Sequence, residues 1–119
     1  MTSQHRKHRG YKSQAIVADY LKAHGWPYAE STGAGRQGSD ITGTPAIDWE
    51  VKARADFNPQ AALKQLYDRN KPETLAIAVL RPNGYGEASV GKWAAVVPLE
   101  IMVALLRECG YGSDPTTTN

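Results

Sequence analysis

One cysteine in the whole chain, Cys109, leaves nothing for an internal disulfide and no CxxC pair for zinc, which suits a reducing cytosol. No apolar run approaches the ~18 residues of a membrane span, and the polar start lacks the build of a secretory signal. Internal repeats and domain linkers are missing as well, so the 119 residues read as one domain with room for a single core. With 41% hydrophobic and 22% charged residues, the chain falls in the ordinary globular range rather than with disordered proteins. A large excess of one charge sign is also lacking. At a net charge of +2, any case for nucleic acid rests on where the charges sit.

What is present is concentrated in residues 38–54. Ile47, Trp49, Val51 and Ala53 alternate with Asp48, Glu50, Lys52 and Arg54, the period of a β-strand with four charges on one side. Alone, that pattern also describes a strand whose charged face meets water. Asp40 adds a second carboxylate ten residues before Glu50, across the turn-forming Gly43, Thr44 and Pro45. Such a turn lays Asp40 back beside Glu50, with Lys52 two residues on along the same face. Two carboxylates suit a hard divalent cation that keeps several waters and meets substrate phosphates. Such a cation lowers the pKa of a coordinated water and offsets phosphate charge, while a lysine orients the attacking water or stabilises the oxyanion. The pattern points to phosphodiester hydrolysis.

Asp40, a turn, and then Glu50-Val51-Lys52 resemble the PD-(D/E)XK nuclease motif, with Ser39 in place of the proline before the first acid. A helix before the motif, a short helix after it carrying Gln65, and one small domain are similar to archaeal-type and phage-encoded Holliday junction resolvases over about residues 9–110. The resemblance implies a restriction-endonuclease-like α/β fold, a mixed sheet of about five strands flanked by helices. It implies a magnesium-dependent endodeoxyribonuclease, manganese substituting, acting on four-way junctions or other branched DNA in a bacterial or phage-infected cytosol. Asp40, Glu50 and Val51 take the metal and Lys52 takes the catalytic role. Gln14 stands where the family carries a metal-binding glutamate. A neutral amide brings no charge there, so it either accepts a coordinated water or is a half-buried structural amide. Gln65 sits where relatives often carry a glutamine near the active site, or is a surface amide. Resolution of a junction needs two symmetric incisions, which implies a homodimer. A restriction-like or repair nuclease would share every catalytic residue. The missing glutamate also leaves room for a non-catalytic DNA-binding module.

The flanking chain supplies the scaffold. A stripe of Gln14, Val17, Ala18 and Leu21 predicts a helix over residues 11–24, preceded by a basic stretch, residues 1–10, holding His5, Arg6, Lys7, His8 and Arg9. With Lys12 that stretch reads as a phosphate-contacting arm, a solvated terminus, or a segment ordering only on DNA. Residues 26–31 predict a strand, in which Glu30 is a spare candidate carboxylate. Residues 33–38 match GxGxxG, but β-favouring and turn residues follow instead of a helix, which argues against dinucleotide binding. That loop places Arg36, with Arg54, among the candidate DNA contacts. Asn58 and Pro59 open a helix with an apolar stripe of Ala62, Leu63, Leu66 and Tyr67, leaving Lys64 and Arg69 outside. Residues 74–80 predict a central strand buried on both faces, and Arg81 follows. A glycine-containing loop over residues 82–91 precedes a last strand, residues 92–97. A helix striped by Leu99, Met102, Val103 and Leu106 ends at Gly110, and a polar tail, residues 111–119, is expected to be disordered. Candidate dimer surfaces are the sheet edge and whatever apolar area the helix from Leu99 to Arg107 leaves uncovered, where Leu105, off the stripe, is one contact or a scattered exposed leucine.

Overall fold

The computed structural model describes residues 3–33, 38–53, 58–69 and 71–113, with side chains from residue 11 onward. The elements follow in the order α1 (Ser3–Ala23), β1 (Glu30–Ser31), β2 (Ile41–Thr42), β3 (Ile47–Lys52), α2 (Pro59–Arg69), β4 (Leu75–Leu80), a 3-10 segment (Glu87–Lys92), β5 (Ala94–Val96) and α3 (Leu99–Glu108). Helix, three strands, helix, two strands and helix is the order the periodicities predict. The fold is mixed α/β.

The strands form two ladders rather than one continuous sheet. β1 and β2 pair antiparallel, while β4 lies between β3, parallel to it, and β5, antiparallel. Between β2 and β3, side chains stand in for strand hydrogen bonds. The Trp49 amide donates to Ser39 Oγ at 2.9 Å and the Val51 amide to Asp40 Oδ2 at 2.7 Å. Only the Asp40 amide, donating to the Trp49 carbonyl at 3.0 Å, makes a main-chain bond there. Short polar side chains can compete with ladder bonds in this way, and here they join the two sheets. The connecting turn requires Gly43, whose φ of 79° is left-handed and whose missing Cβ would overlap the Tyr28 carbonyl.

Both faces of β3 are covered, because a helix packs on each side. Trp49 and Val51 join Ile16, Val17, Ala18 and Leu21 of α1 in the larger core, to which Trp93 adds its ring. Ala62, Leu63 and Leu66 of α2 close the other face with Ala78 and Leu80 of β4. The charged side of β3 therefore lies under α2 instead of meeting water. Burying each Val, Leu or Ile side chain in these clusters contributes about 1.5–3 kcal/mol relative to exposure.

Several boundaries differ from the sequence reading. α1 starts at Ser3, so the basic stretch continues the helix in its backbone; the side chains of Arg6, Lys7 and Arg9 lie outside the described residues. The strand expected over residues 26–31 shrinks to Glu30–Ser31, because Pro27 allows only a turn here and Tyr28 stands 81% exposed. Tyr67 is exposed rather than part of the α2 stripe. Glu87–Lys92 winds into a 3-10 segment packed on α1, so the last strand starts at Ala94. α3 forms as expected but buries none of its residues. Residues 114–119 and the loop positions Arg36 and Arg54 lie outside the described residues. After Gly38 the chain enters β2 and not a helix, which removes the dinucleotide-binding reading of the glycine loop. Among the described residues, no helix is long and apolar enough to cross a membrane.

Candidate active site

Asp40 reaches β3 from the residue before β2, and its hydrogen bond to the Val51 amide fixes it at the level of Glu50. Glu50 lies on the α2 side of β3 and is buried, with only its rim open to a cleft of about 610 Å³. Gly38, Asp40, Glu50, Gln65, Asp68 and Arg69 line that cleft, together with Lys71. Lys52 Nζ sits 3.1 Å from Glu50 Oε2. The Arg81 amide donates to the Lys52 carbonyl at 2.9 Å, which holds the end of β3 against β4. Asp40, Glu50 and Lys52 are thus brought together, and Gln65 joins the two carboxylates at the cleft.

Burial first of all, and then the neighbouring Glu50 carboxylate, pushes the Asp40 pKa from 3.8 up to about 6, against the Val51 amide and the cations Arg69 and Lys52. Between those two values the folded protein holds a proton that the unfolded chain releases. Stability of the metal-free protein therefore declines as pH rises through that window and levels off above it. In chelator, the melting temperature is expected to fall between about pH 4 and about pH 6.5 more steeply than in Asp40→Asn. Parallel pH profiles for the two proteins would remove Asp40 as the origin.

Other expected residues stand differently. The Gln14 carbonyl oxygen accepts from Ser31 Oγ at 3.1 Å, tying α1 to β1, and Gln14 does not line the cleft. Glu30 is exposed, as is Lys12 on α1. Val51 has its side chain in the core, so only its main chain is available to a ligand. Asp48, 1% exposed, is not a solvent-facing charge.

Its partner is Arg69, which the sequence reading left outside the fold. From the last turn of α2, Arg69 Nε and Nη2 grip the two Asp48 oxygens at 3.2 and 2.9 Å, and Nη1 donates to Glu50 Oε1 at 2.7 Å. Nη2 also donates to the Trp49 carbonyl at 3.0 Å. Burial works against the charge, yet the hydrogen bonds to Asp48 and Glu50 hold the guanidinium pKa above its ordinary value. The signal was present in the spacing: 62, 66 and 69 follow i, i+4, i+7, so Arg69 continues the stripe of Ala62 and Leu66.

A second arginine was likewise missed. Arg81 stacks over Trp93 at 4.9 Å, and donates to the Tyr85 carbonyl at 2.8 Å and to the fully buried Ser13 hydroxyl at 3.2 Å. It pins α1 to the end of β4.

The donor set fits a divalent cation. Two carboxylates share one cleft, and burial leaves ionised Asp40 short of compensating charge, which an added cation would supply. Among the described residues, no cluster of three or more His, Cys, Asp or Glu side chains has metal-holding geometry. A cation at Asp40 and Glu50 would complete its shell with water, main-chain and phosphate oxygens, the habit of magnesium. Compared with family models, curated proteins and solved structures, the chain has no significant match.

Proposed function

We propose that this protein is a magnesium-dependent DNA endonuclease on a restriction-endonuclease-like fold, acting on branched DNA such as four-way junctions. One observation carries the reading: Asp40, docked on the Val51 amide, lines a single cleft with Glu50, whose other neighbour is Lys52 at 3.1 Å. When bound, the cation supplies Lewis acidity and charge compensation at the scissile phosphate. Asp40 and Glu50 hold it, with Val51 contributing through its main chain. Lys52, 3.1 Å from Glu50 Oε2, orients the attacking water and donates toward the phosphate oxyanion. Gln65, exposed at the same cleft, hydrogen-bonds the substrate backbone. Arg6, Lys7, Arg9 and Lys12, whose positions fall within α1, are the proposed DNA contacts, with Arg36 and Arg54 before and after the motif in sequence. Incision of a labelled four-way junction, compared with a duplex of the same sequence, tests the substrate. Equal cutting of both would favour a repair or restriction-like nuclease. Tight binding without incision in either metal would favour a non-catalytic DNA-binding module.

The same reading requires two active sites, and α3 offers the surface to pair them. Leu99, Met102, Val103, Leu105 and Leu106 are all exposed, at 78%, 40%, 49%, 37% and 42%. Single exposed apolar residues need no explanation, but a contiguous helical face does. Glu100 and Arg107 lie two turns apart, so in an antiparallel pair of α3 helices each Glu100 meets Arg107 of the second copy. That arrangement is self-complementary under a two-fold axis. Sedimentation is expected to give a dimer for the native chain and a monomer for Val103→Glu. A native monomer with and without junction DNA would leave a single-strand nicking enzyme as the better reading.

A further inference from the structure

Arg69 is the most heavily engaged side chain in the site, and hydrolysis as described above makes no use of it. Its guanidinium bridges two carboxylates with different standing. Asp48 is fully buried and takes the Nε–Nη2 fork, while Glu50 takes Nη1 alone, at the cleft. Lys52 Nζ, 3.1 Å from Glu50 Oε2, accounts for the other oxygen of the same carboxylate. Both Glu50 oxygens are thus already neutralised by cationic side chains.

A divalent cation shared between Asp40 and Glu50 needs one of those oxygens. Fork and finger differ in how easily they let go. Two parallel bonds to Asp48, the more deeply buried carboxylate, resist separation more than one bond to Glu50, which lines the cleft and keeps Lys52 beside it. Nη1 can therefore leave Glu50 while the Asp48 fork keeps the side chain in place. Asp40, in contrast, receives from the protein only the Val51 amide as a hydrogen-bond donor among the described residues. The competition is confined to Glu50.

Resting on the reading of Asp40 and Glu50 as a metal pair, we propose that Arg69 is a built-in competitor for the metal at Glu50. It pairs with Oε1 and so weakens divalent-cation binding. It is a positioning residue: it acts on Glu50 and does not touch reacting atoms. Arg69 also pairs with two buried carboxylates on one strand, Asp48 and Glu50, and so offsets part of their charge. Loss of the competitor should tighten metal binding even though it removes a stabilising contact. An ordinary structural clamp, by holding Glu50 in place for the cation, would do the opposite.

Calorimetric titration of manganese into the full-length protein, without DNA, separates the two. Three proteins are compared: the native chain, Arg69→Lys, and the double variant Asp48→Asn with Arg69→Gln. A lysine can pair with Asp48 but cannot span to Glu50. The double variant removes both charges, so it leaves no buried carboxylate unpaired and should fold where a single loss of charge does not. Dissociation constants about tenfold lower in the variants are expected, within the usual range for directly coupled sites. Unchanged or weaker binding in a folded variant would overturn the competitor role while leaving the metal pair intact. Absence from all three proteins of any manganese binding that Glu50→Gln abolishes would overturn the metal reading, and this inference with it.

Discussion

Asp40→Asn, Glu50→Gln and Lys52→Met are each expected to lower the single-turnover cleavage rate by about 10³-fold, equivalent to about 4 kcal/mol of lost transition-state stabilisation. The three were chosen to spare the fold. Asparagine still offers an oxygen to the Val51 amide, so the link between β2 and β3 survives. Glutamine at position 50 keeps the shape of Glu50 and one oxygen that accepts from Arg69, giving up the acceptor opposite Lys52, which faces the partly exposed end of the strand. Methionine keeps the apolar stem of Lys52, whose side chain is one-quarter exposed. Junction binding should persist in all three, because the proposed DNA contacts lie elsewhere. Rates within a few-fold of native in a folded Glu50→Gln protein would remove Glu50 from the chemistry.

Arg69→Met carries the largest expected cost in stability. Asp48, 1% exposed, would lose the one cation paired with it among the described residues. Breaking one half of a buried pair typically costs about 3–5 kcal/mol, a large share of the roughly 5–15 kcal/mol that holds a native domain together. Glu50 suffers less, since Lys52 remains beside it. Urea unfolding should display this loss and its substantial recovery when Asp48→Asn is added. A shift below about 1 kcal/mol for the single variant would mean that Asp48 finds water or a proton without difficulty.

How much of this was legible in the sequence differs from element to element, for physical reasons. The alternation over residues 47–54 and the apolar run over residues 74–80 identified β3 and the central β4, because strand period and full burial leave plain traces. The turn at Gly43 and Pro45 correctly brought Asp40 beside Glu50. That Asp40 would bond a strand amide, and so join two ladders, was hidden, because such a bond replaces a main-chain partner and has no periodic mark. Alternation also could not tell whether the charged face of β3 meets water. That depended on α2 packing over it, and on an arginine two turns beyond Ala62 reaching back 19 and 21 residues to Glu50 and Asp48. Charge at the end of a helix stripe reads as a dipole or surface feature, yet Arg69 has the length to cover apolar neighbours and end at a carboxylate. For α3, the amphipathic pattern was correct, and the helix leaves its stripe uncovered. A stripe records that a face seeks cover; it does not record whether the cover comes from the same chain.

The central claim is that Asp40 and Glu50 form a metal-dependent hydrolytic site, and the strand-resolved incision assay tests it most directly. Full-length protein is incubated with a four-way junction labelled on each strand in turn, in magnesium, in manganese and in chelator, beside Asp40→Asn. The account predicts paired nicks in opposed strands with either metal, and none in chelator or with the variant. Incision that persists in chelator, or a native protein that binds the junction and cuts it in neither metal, would contradict it.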